Sequence, residues 1–206
     1  MMKTFSIGGI HPSDKKISKD CQIEVLPLPS KVFVSMAQHL GAPATPVVKA
    51  GDAVKTGQVI AEPAGFISAY VHSPVSGTVK SVGPRKDLAG NNMVHVEIDV
   101  EGDEWAEGID LSDDIVTAIP EDNKEILDKI KMNGVVGLGG ATFPTHVKLC
   151  PPPGKKADCL ILNGAECEPY LTSDYRIMLE RSKEIIIGAA IMKQVLGGCP
   201  AVIGIE

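Results

Sequence analysis

Between Lys31 and Asp99 the apolar positions come in short pieces, VFVSM, TPVVKAGDAV, QVIAEPAG, ISAYVHSPVSGTVKSVG and MVHVEIDV, each broken by Gly, Pro or Asn. Alternation with a period of two runs through Thr78–Val82 and again through Val94–Val100, the spacing of strands with one face turned inward. No stretch of this half sustains helical spacing over three turns, so it reads as all-β. From about Asp110 the spacing changes. In Glu121–Met132 (EDNKEILDKIKM) Ile126, Leu127 and Ile130 fall on one helical face. Acids lead and lysines trail, as a helix dipole favours, and Asn133-Gly134 supplies the stop. Ala157–Asn163 is a short apolar run suited to a buried parallel strand. Thr172–Leu196 predicts one long helix or two stacked ones, capped by Thr172 or Ser173. Its buried stripe is expected to be Met178, Leu179, Ile185, Ile186, Ala189, Met192 and Leu196. Gly197-Gly198 ends it, and Ala201–Ile205 predicts a further buried strand. The fold class is therefore α+β in two domains, an all-β domain over residues 1–105, N-terminal arm included, and an α/β domain over 110–206. The chain stops at Glu206 where a further turn and helix are expected, so the second domain is expected to be incomplete.

Composition narrows the functions available. Apolar residues make up 44% and charged residues 22%, ordinary for a globular protein, but aromatics are only 4%, so the core must be aliphatic. A net charge of −6 without clustered Lys and Arg speaks against nucleic acid as a partner. The longest apolar run near the C-terminal end, Ile185–Met192, falls well short of the roughly 20 residues needed to span a bilayer, and no secretion signal is legible. Five cysteines, at 21, 150, 159, 167 and 199, are odd in number and never spaced C-x-x-C. That predicts a reducing, cytosolic setting with no metal ligands of the chain's own. His72, His95 and His146 also lack ligand spacing and are expected in loops or on strand surfaces. Cys150, Cys159, Cys167 and Cys199 are expected to be buried or incidental.

Three phrases carry more than composition. VKAGDAVKTGQVIAEP followed by HSPVSGTV resembles the biotinyl/lipoyl-like barrel-sandwich family, with Gly51, Gly57 and Gly77 at turns that need positive φ or close approach. Carrier members of that family present a lysine at a hairpin tip. Here the corresponding segment, AEPAGFISAYV, has none, so the scaffold is expected without the prosthetic group. GVVGLGGATFPTHVK (Gly134–Lys148) satisfies neither the dinucleotide fingerprint nor the Walker loop, since no third glycine and no Lys-Ser/Thr follow in place. Taken by itself it fits a plain helix-to-strand connection equally well. LILNGAECEPY (Leu160–Tyr170) puts Asn163, Glu166 and Glu168 just past the carboxyl end of a predicted strand, where open α/β sheets place ligands. Surface acids on a solvated loop are the alternative.

Gly137–Lys148, GLGGATFPTHVK, resembles the G-x-G-G-A-x-F-P-T-x-x-K loop of the NADH-oxidising flavoprotein subunit of complex I, and NGAECEP (Asn163–Pro169) resembles that family's N-A-D-E-x-E-P segment. Together with GGIHPSDKK (Gly8–Lys16), in which His11 has no obvious chemical role, and the lysine-free barrel-sandwich phrase, the chain resembles the C subunit family of the Rnf ferredoxin:NAD oxidoreductase complex. The A subunit of the Na⁺-translocating NADH:quinone reductase is a more distant likeness. The resemblance implies FMN and NAD(H) as cofactors, a hydride passed between them, and two [4Fe–4S] clusters on a part of the protein beyond this stretch. It further implies other Rnf subunits as partners, ferredoxin reached through the complex, coupling to Na⁺ or H⁺ movement, and a peripheral place on the cytoplasmic side of the bacterial cell membrane. Its cofactor-binding residues would be Gly137, Gly139, Gly140, Phe143, Lys148, Asn163, Glu166 and Glu168. The glycines would let a ring or pyrophosphate lie on the backbone, and the carboxylates would accept from sugar hydroxyls or an amide. Hydride transfer asks for no side-chain acid or base, so no catalytic residue is implied. Leu138, Thr142 and Ala165 stand where the complex I pattern has arginine, glycine and aspartate. Two other functions are compatible with the residues, a docking module without chemistry and a prosthetic-group carrier.

Overall fold

The computed structural model describes residues 12–87 and 89–205. His11 and the Gly8–Ile10 part of the opening phrase lie outside them. Among the described residues seven strands occupy the first half: β1 (Lys31–Ser35), β2 (Thr45–Pro46), β3 (Ala53–Val54), β4 (Val59–Glu62), β5 (Val71–His72), β6 (Gly77–Lys86) and β7 (Asn92–Val100). They form two antiparallel sheets, one ordered β1-β7-β6-β3 and the other β2-β4-β5. The period-two reading holds as far as Val79 on β6 and along the middle of β7. Val79, Val96 and Ile98 are buried, while His95 and Glu97, which alternate with the β7 pair, are not. The β6–β7 register slips by one residue between Val79 and Ser81, a bulge that the alternation did not announce.

Both sheets send side chains into one aliphatic cluster, Val34 from β1, Val54 from β3, Ile60 from β4, Val71 from β5, Val79 from β6 and Ile98 from β7. This is the barrel-sandwich arrangement, a curled sheet closed by a smaller one. Gly77 is indispensable to it. Its φ is +151°, and a Cβ there would sit 2.1 Å from the Asp99 carbonyl oxygen on the paired strand. Gly51 and Gly57, at φ +92° and +81°, likewise occupy left-handed turns. The segment that in carriers would hold the lysine is exposed at Ala64–Phe66 and turns inward at Ser68 and Ala69. Buried Ser68 donates to the Ala42 carbonyl at 2.8 Å, and the Ala69 N–H donates to His39 Nε2 at 3.1 Å. Of the large apolar side chains at this tip, Phe66 is left well exposed.

The second half contains α1 (Asn123–Met132), α2 (Thr145–Lys148), β8 (Leu160–Asn163), α3 (Ser173–Glu180), α4 (Ser182–Val195) and β9 (Ala201–Gly204). α1 starts where the Asp122 carboxylate accepts from the Lys124 N–H at 2.8 Å, and it ends at Asn133-Gly134. The long helical stretch is two helices broken at Arg181, whose φ of −129° leaves the helical region. β8 and β9 pair in parallel, Leu160 to Ala201 through Asn163 to Gly204. Neither strand is buried, contrary to expectation: Ile161 is 68% and Val202 50% exposed. The predicted stripe of α3 and α4 is also only half-buried, and Leu179 and Ile186 are exposed. A two-stranded sheet offers too little surface to enclose two helices.

Two compact units result. One comprises Leu26–Ala157 with Gln194–Gly198. The other comprises the segment ending at Val25, Asp158–Lys193 and the chain from Cys199. α1, the glycine loop and α2 thus group with the barrel-sandwich, and the Asn163–Glu168 segment groups with the N-terminal arm.

Candidate functional site

In the first unit the chain leaves α1 through Gly134, which has φ +63° and lies so close to the barrel-sandwich that a Cβ would meet the Tyr70 carbonyl oxygen at 2.3 Å. Val136 and Pro144 then form an antiparallel bridge. The Gly137 N–H donates to the Phe143 carbonyl at 2.9 Å and the Thr145 N–H to the Val135 carbonyl at 3.0 Å, so residues 138–142 form a tip held at its base. Thr142 closes that tip in the left-handed region, at φ +44°, its N–H donating to the Gly139 carbonyl and its own carbonyl accepting from the Leu40 N–H. A β-branched residue there stores roughly 1–2 kcal/mol of strain.

At the tip, the N–H groups of Gly139, Gly140 and Ala141 meet no protein acceptor among the described residues. Nothing stands where a Cβ of Gly139 or Gly140 would point. Lys148, one turn into α2, lies alongside: a methyl on Gly137 would be 2.7 Å from its ammonium nitrogen. Three backbone donors unpaired among the described residues, with an ammonium at the base of the same loop, suit an anionic or carbonyl-bearing ligand. Phe143 is half-buried.

His146, on α2 rather than on a loop or strand surface, is half-buried, and its Nδ1 has no partner among the described residues. Burial, reinforced by the positive charge of Lys131 and by His39, holds its pKa below the ordinary histidine value. Burial does the same at His72, partly offset by a backbone hydrogen bond at Met132.

In the second unit the segment after β8 is tightly bonded to its surroundings. Asn163 Oδ1 accepts from the Ala165 N–H at 3.1 Å, and its amide N–H₂ has no partner among the described residues. The Gly164 N–H donates to the Gly204 carbonyl at 2.8 Å. Glu166 is only 9% exposed, and both its carboxylate oxygens are engaged. Oε1 accepts from Ser173 Oγ at 3.0 Å and the Asp174 N–H at 2.9 Å, and Oε2 accepts from the Tyr175 N–H at 3.1 Å. Glu166 is therefore the cap of α3. The predicted caps are not: Thr172 makes no capping bond, and Ser173 serves as a donor to Glu166. Burial alone would raise the pKa of Glu166. The two backbone donors, the Ser173 hydroxyl and the charge of Lys16 outweigh it, so the carboxyl titrates below the usual range.

Glu168 is exposed, with only a long 3.9 Å contact from Cys167 Sγ. Beside this turn a cavity of about 390 Å³ opens, lined by Leu171, Tyr175, Met178 and Ile205 together with Lys16 and Lys19. Its size is within the range of small-molecule pockets. Of the cysteines expected to be buried or incidental, Cys150, Cys159 and Cys167 are exposed and Cys199 is buried. Among the described residues no group of three or more His, Cys, Asp or Glu could hold a metal, and no helix is long and apolar enough to cross a membrane.

A barrel-sandwich followed by a glycine tip and an acidic turn on an α/β unit is the plan of two known domains in series. The RnfC barrel sandwich hybrid domain matches residues 3–103, and the Nuo51 FMN-binding domain matches residues 130–206. The chain is 47% identical to the C subunit of the proton-translocating ferredoxin:NAD(+) oxidoreductase complex of Clostridium ljungdahlii, over 100% of this chain and 45% of that protein. It is 42% identical to the C subunit of the Na(+)-translocating ferredoxin:NAD(+) oxidoreductase complex of Acetobacterium woodii, over 97% of this chain and 45% of that protein. Identity to the C subunit of the ion-translocating oxidoreductase complex of Rhodobacter capsulatus is 41%, over 100% of this chain and 40% of that protein. The chain belongs to the C subunit family of the Rnf complex, and it spans less than half the length of these curated relatives.

Proposed function

We propose that this chain forms the FMN- and NAD(H)-engaging part of an Rnf-type ferredoxin:NAD oxidoreductase subunit. Bound FMN supplies the hydride-accepting and electron-splitting chemistry. The residues of this chain would bind and orient it. Electrons would pass to or from two [4Fe–4S] clusters on a part of the subunit beyond this stretch, coupled to Na⁺ or H⁺ movement by other Rnf subunits, with ferredoxin reached through the complex. The chain would sit peripherally on the cytoplasmic side of the bacterial cell membrane.

The observation that carries this reading is the tip at Gly139–Ala141, whose unpaired N–H groups and neighbouring ammonium lie inside the stretch matched by the FMN-binding domain. Gly137, Gly139 and Gly140 would give the ligand access to the backbone, with Lys148 opposite a phosphate or flavin oxygen. Phe143 would face an aromatic ring. Asn163 would offer its amide N–H₂, and Glu168 would accept from a ribityl or ribose hydroxyl. Glu166 would contribute through the shape of the turn and the start of α3, because its own oxygens are engaged.

Titrating the intact subunit with FMN and following flavin fluorescence tests the reading. Wild type is expected to bind, Lys148→Ala and Glu168→Gln each to weaken binding about tenfold, and Gly137→Ala to weaken it by displacing the ammonium. Equal affinity in all four proteins would remove the basis of the assignment.

A further inference from the structure

The phrase Asp14-Lys15-Lys16 has no part in the function proposed above, yet in the structure it reaches the acidic turn some 150 residues on. Lys16 Nζ donates to three main-chain carbonyls, Glu166 at 2.6 Å, Leu171 at 2.8 Å and Glu168 at 3.0 Å. An ammonium has three N–H donors, and here each has a carbonyl. None of the three carbonyls belongs to a helix or strand, so without Lys16 each would need water or leave a polar group unpaired.

The same arm makes four more anchors. The Asp14 carbonyl accepts from the Tyr170 N–H at 2.7 Å, and Tyr170 is held there at φ +71°, a conformation a bulky residue keeps only when its surroundings impose it. Ser18 Oγ and Thr172 Oγ1 are 2.8 Å apart. Arg176 donates to the Lys19 carbonyl at 2.9 Å, and the Ile23 N–H reaches the Glu180 carboxylate at 3.1 Å. With its carbonyls gathered on one nitrogen, the turn leaves Cys167 and Glu168 exposed.

We propose that Lys16 is the positioning residue of the Glu166–Leu171 turn: its ammonium fixes the turn's curvature and thereby the placement of the Glu168 carboxylate toward a hydroxyl-bearing nucleotide ligand. The clamp itself rests on the distances above; its consequence for ligand binding rests on the flavin and nucleotide reading of the turn.

Lys16→Met keeps the length of the side chain and removes every donor. Hydrogen exchange and FMN titration on the intact subunit, applied to wild type, Lys16→Met, Lys16→Arg and Lys15→Met, separate the possibilities. In Lys16→Met, amides 165–172 are expected to exchange at least tenfold faster while those of β6 and β7 stay unchanged, and the FMN dissociation constant rises about tenfold. Lys16→Arg, which keeps the charge and part of the donor set, is expected to recover a portion of both, and Lys15→Met to match wild type. Unchanged exchange through 165–172 overturns the clamp. Faster exchange there with FMN affinity within twofold of wild type overturns its role in positioning. If Lys16→Met also loses protection in β6 and β7, the decision falls to Lys16→Arg: intermediate exchange at 165–172 with β6 and β7 protected supports the clamp, and wild-type exchange overturns it. Failure of wild type itself to bind FMN sinks the flavin reading and the ligand half of this proposal together, while the exchange result still decides the clamp.

Discussion

The glycine tip and the acidic turn are both short irregular segments next to a helix, but they treat their polar groups in opposite ways. The tip is held by the Val136–Pro144 bridge, the Gly137-to-Phe143 bond and the bonds of Thr142 to Gly139 and Leu40, while the N–H groups of Gly139, Gly140 and Ala141 are unpaired among the described residues. The turn is instead tied down through its acceptors: three carbonyls to Lys16, the Glu166 carboxylate to the start of α3, the Asn163 oxygen to Ala165. A segment with vacant donors is suited to contact a ligand through its backbone. In a segment whose acceptors are committed, the side-chain groups left over are the Glu168 carboxylate and the Asn163 amide. Of two glutamates that look equivalent in NGAECEP, one caps α3 and the other keeps an exposed carboxylate.

That contrast can be broken at several points. Gly134→Ala is expected to do the most damage, because it combines a left-handed backbone with a 2.3 Å approach to the Tyr70 carbonyl. A loss of about 3 kcal/mol in chemical denaturation is predicted, carried by the unit that holds the tip. Glu166→Ala removes three accepted hydrogen bonds from the start of α3. About 2 kcal/mol should be lost, with faster amide exchange at residues 173–176 as its local signature. Thr142→Gly acts in the other direction. Relief of the left-handed strain exceeds the added freedom of glycine in the unfolded chain, so a gain of about 0.5 kcal/mol is expected.

Acid should separate the two segments without any mutation. His146 and His72 have pKa values depressed by burial, so the unfolded chain binds more protons than the folded one below pH 6.5, the ordinary value. The stability they contribute is complete above that pH and is lost as the pH falls through their lowered values. Glu166 is also depressed, but from 4.5. Its contribution is complete above about pH 4.5 and disappears only as the pH falls through its lower folded value. Exchange measured across an acid series should therefore show α2 and the base of the tip loosening first and the start of α3 later. Simultaneous loosening would contradict this order.

Much of this was legible in the residue pattern. Period-two alternation located β6 and β7, and the glycine phrase located the barrel-sandwich turns, because each depends on neighbours close in sequence or on a backbone angle only glycine takes easily. α1 and its stop were legible for the same reason. The cap of α3 was not. Propensity favours Thr172 and Ser173, but the capping oxygens come from Glu166, a residue placed there by the turn rather than by the helix. The Lys16 clamp joins segments some 150 residues apart, and local periodicity carries no trace of it; only the DKK phrase in the family resemblance marked the spot. Burial of β8, β9 and the α3–α4 stripe was overestimated, since an apolar pattern states what a strand or helix would cover, not whether a covering layer is present.

The central claim is that the vacant N–H groups of the glycine tip receive the flavin. Amide exchange of the intact subunit with and without FMN measures this directly at Gly139, Gly140 and Ala141. Added FMN is predicted to slow exchange at these three amides while leaving β6 and β7 unaffected. Saturating FMN binding with no change at residues 139–141 would contradict the account.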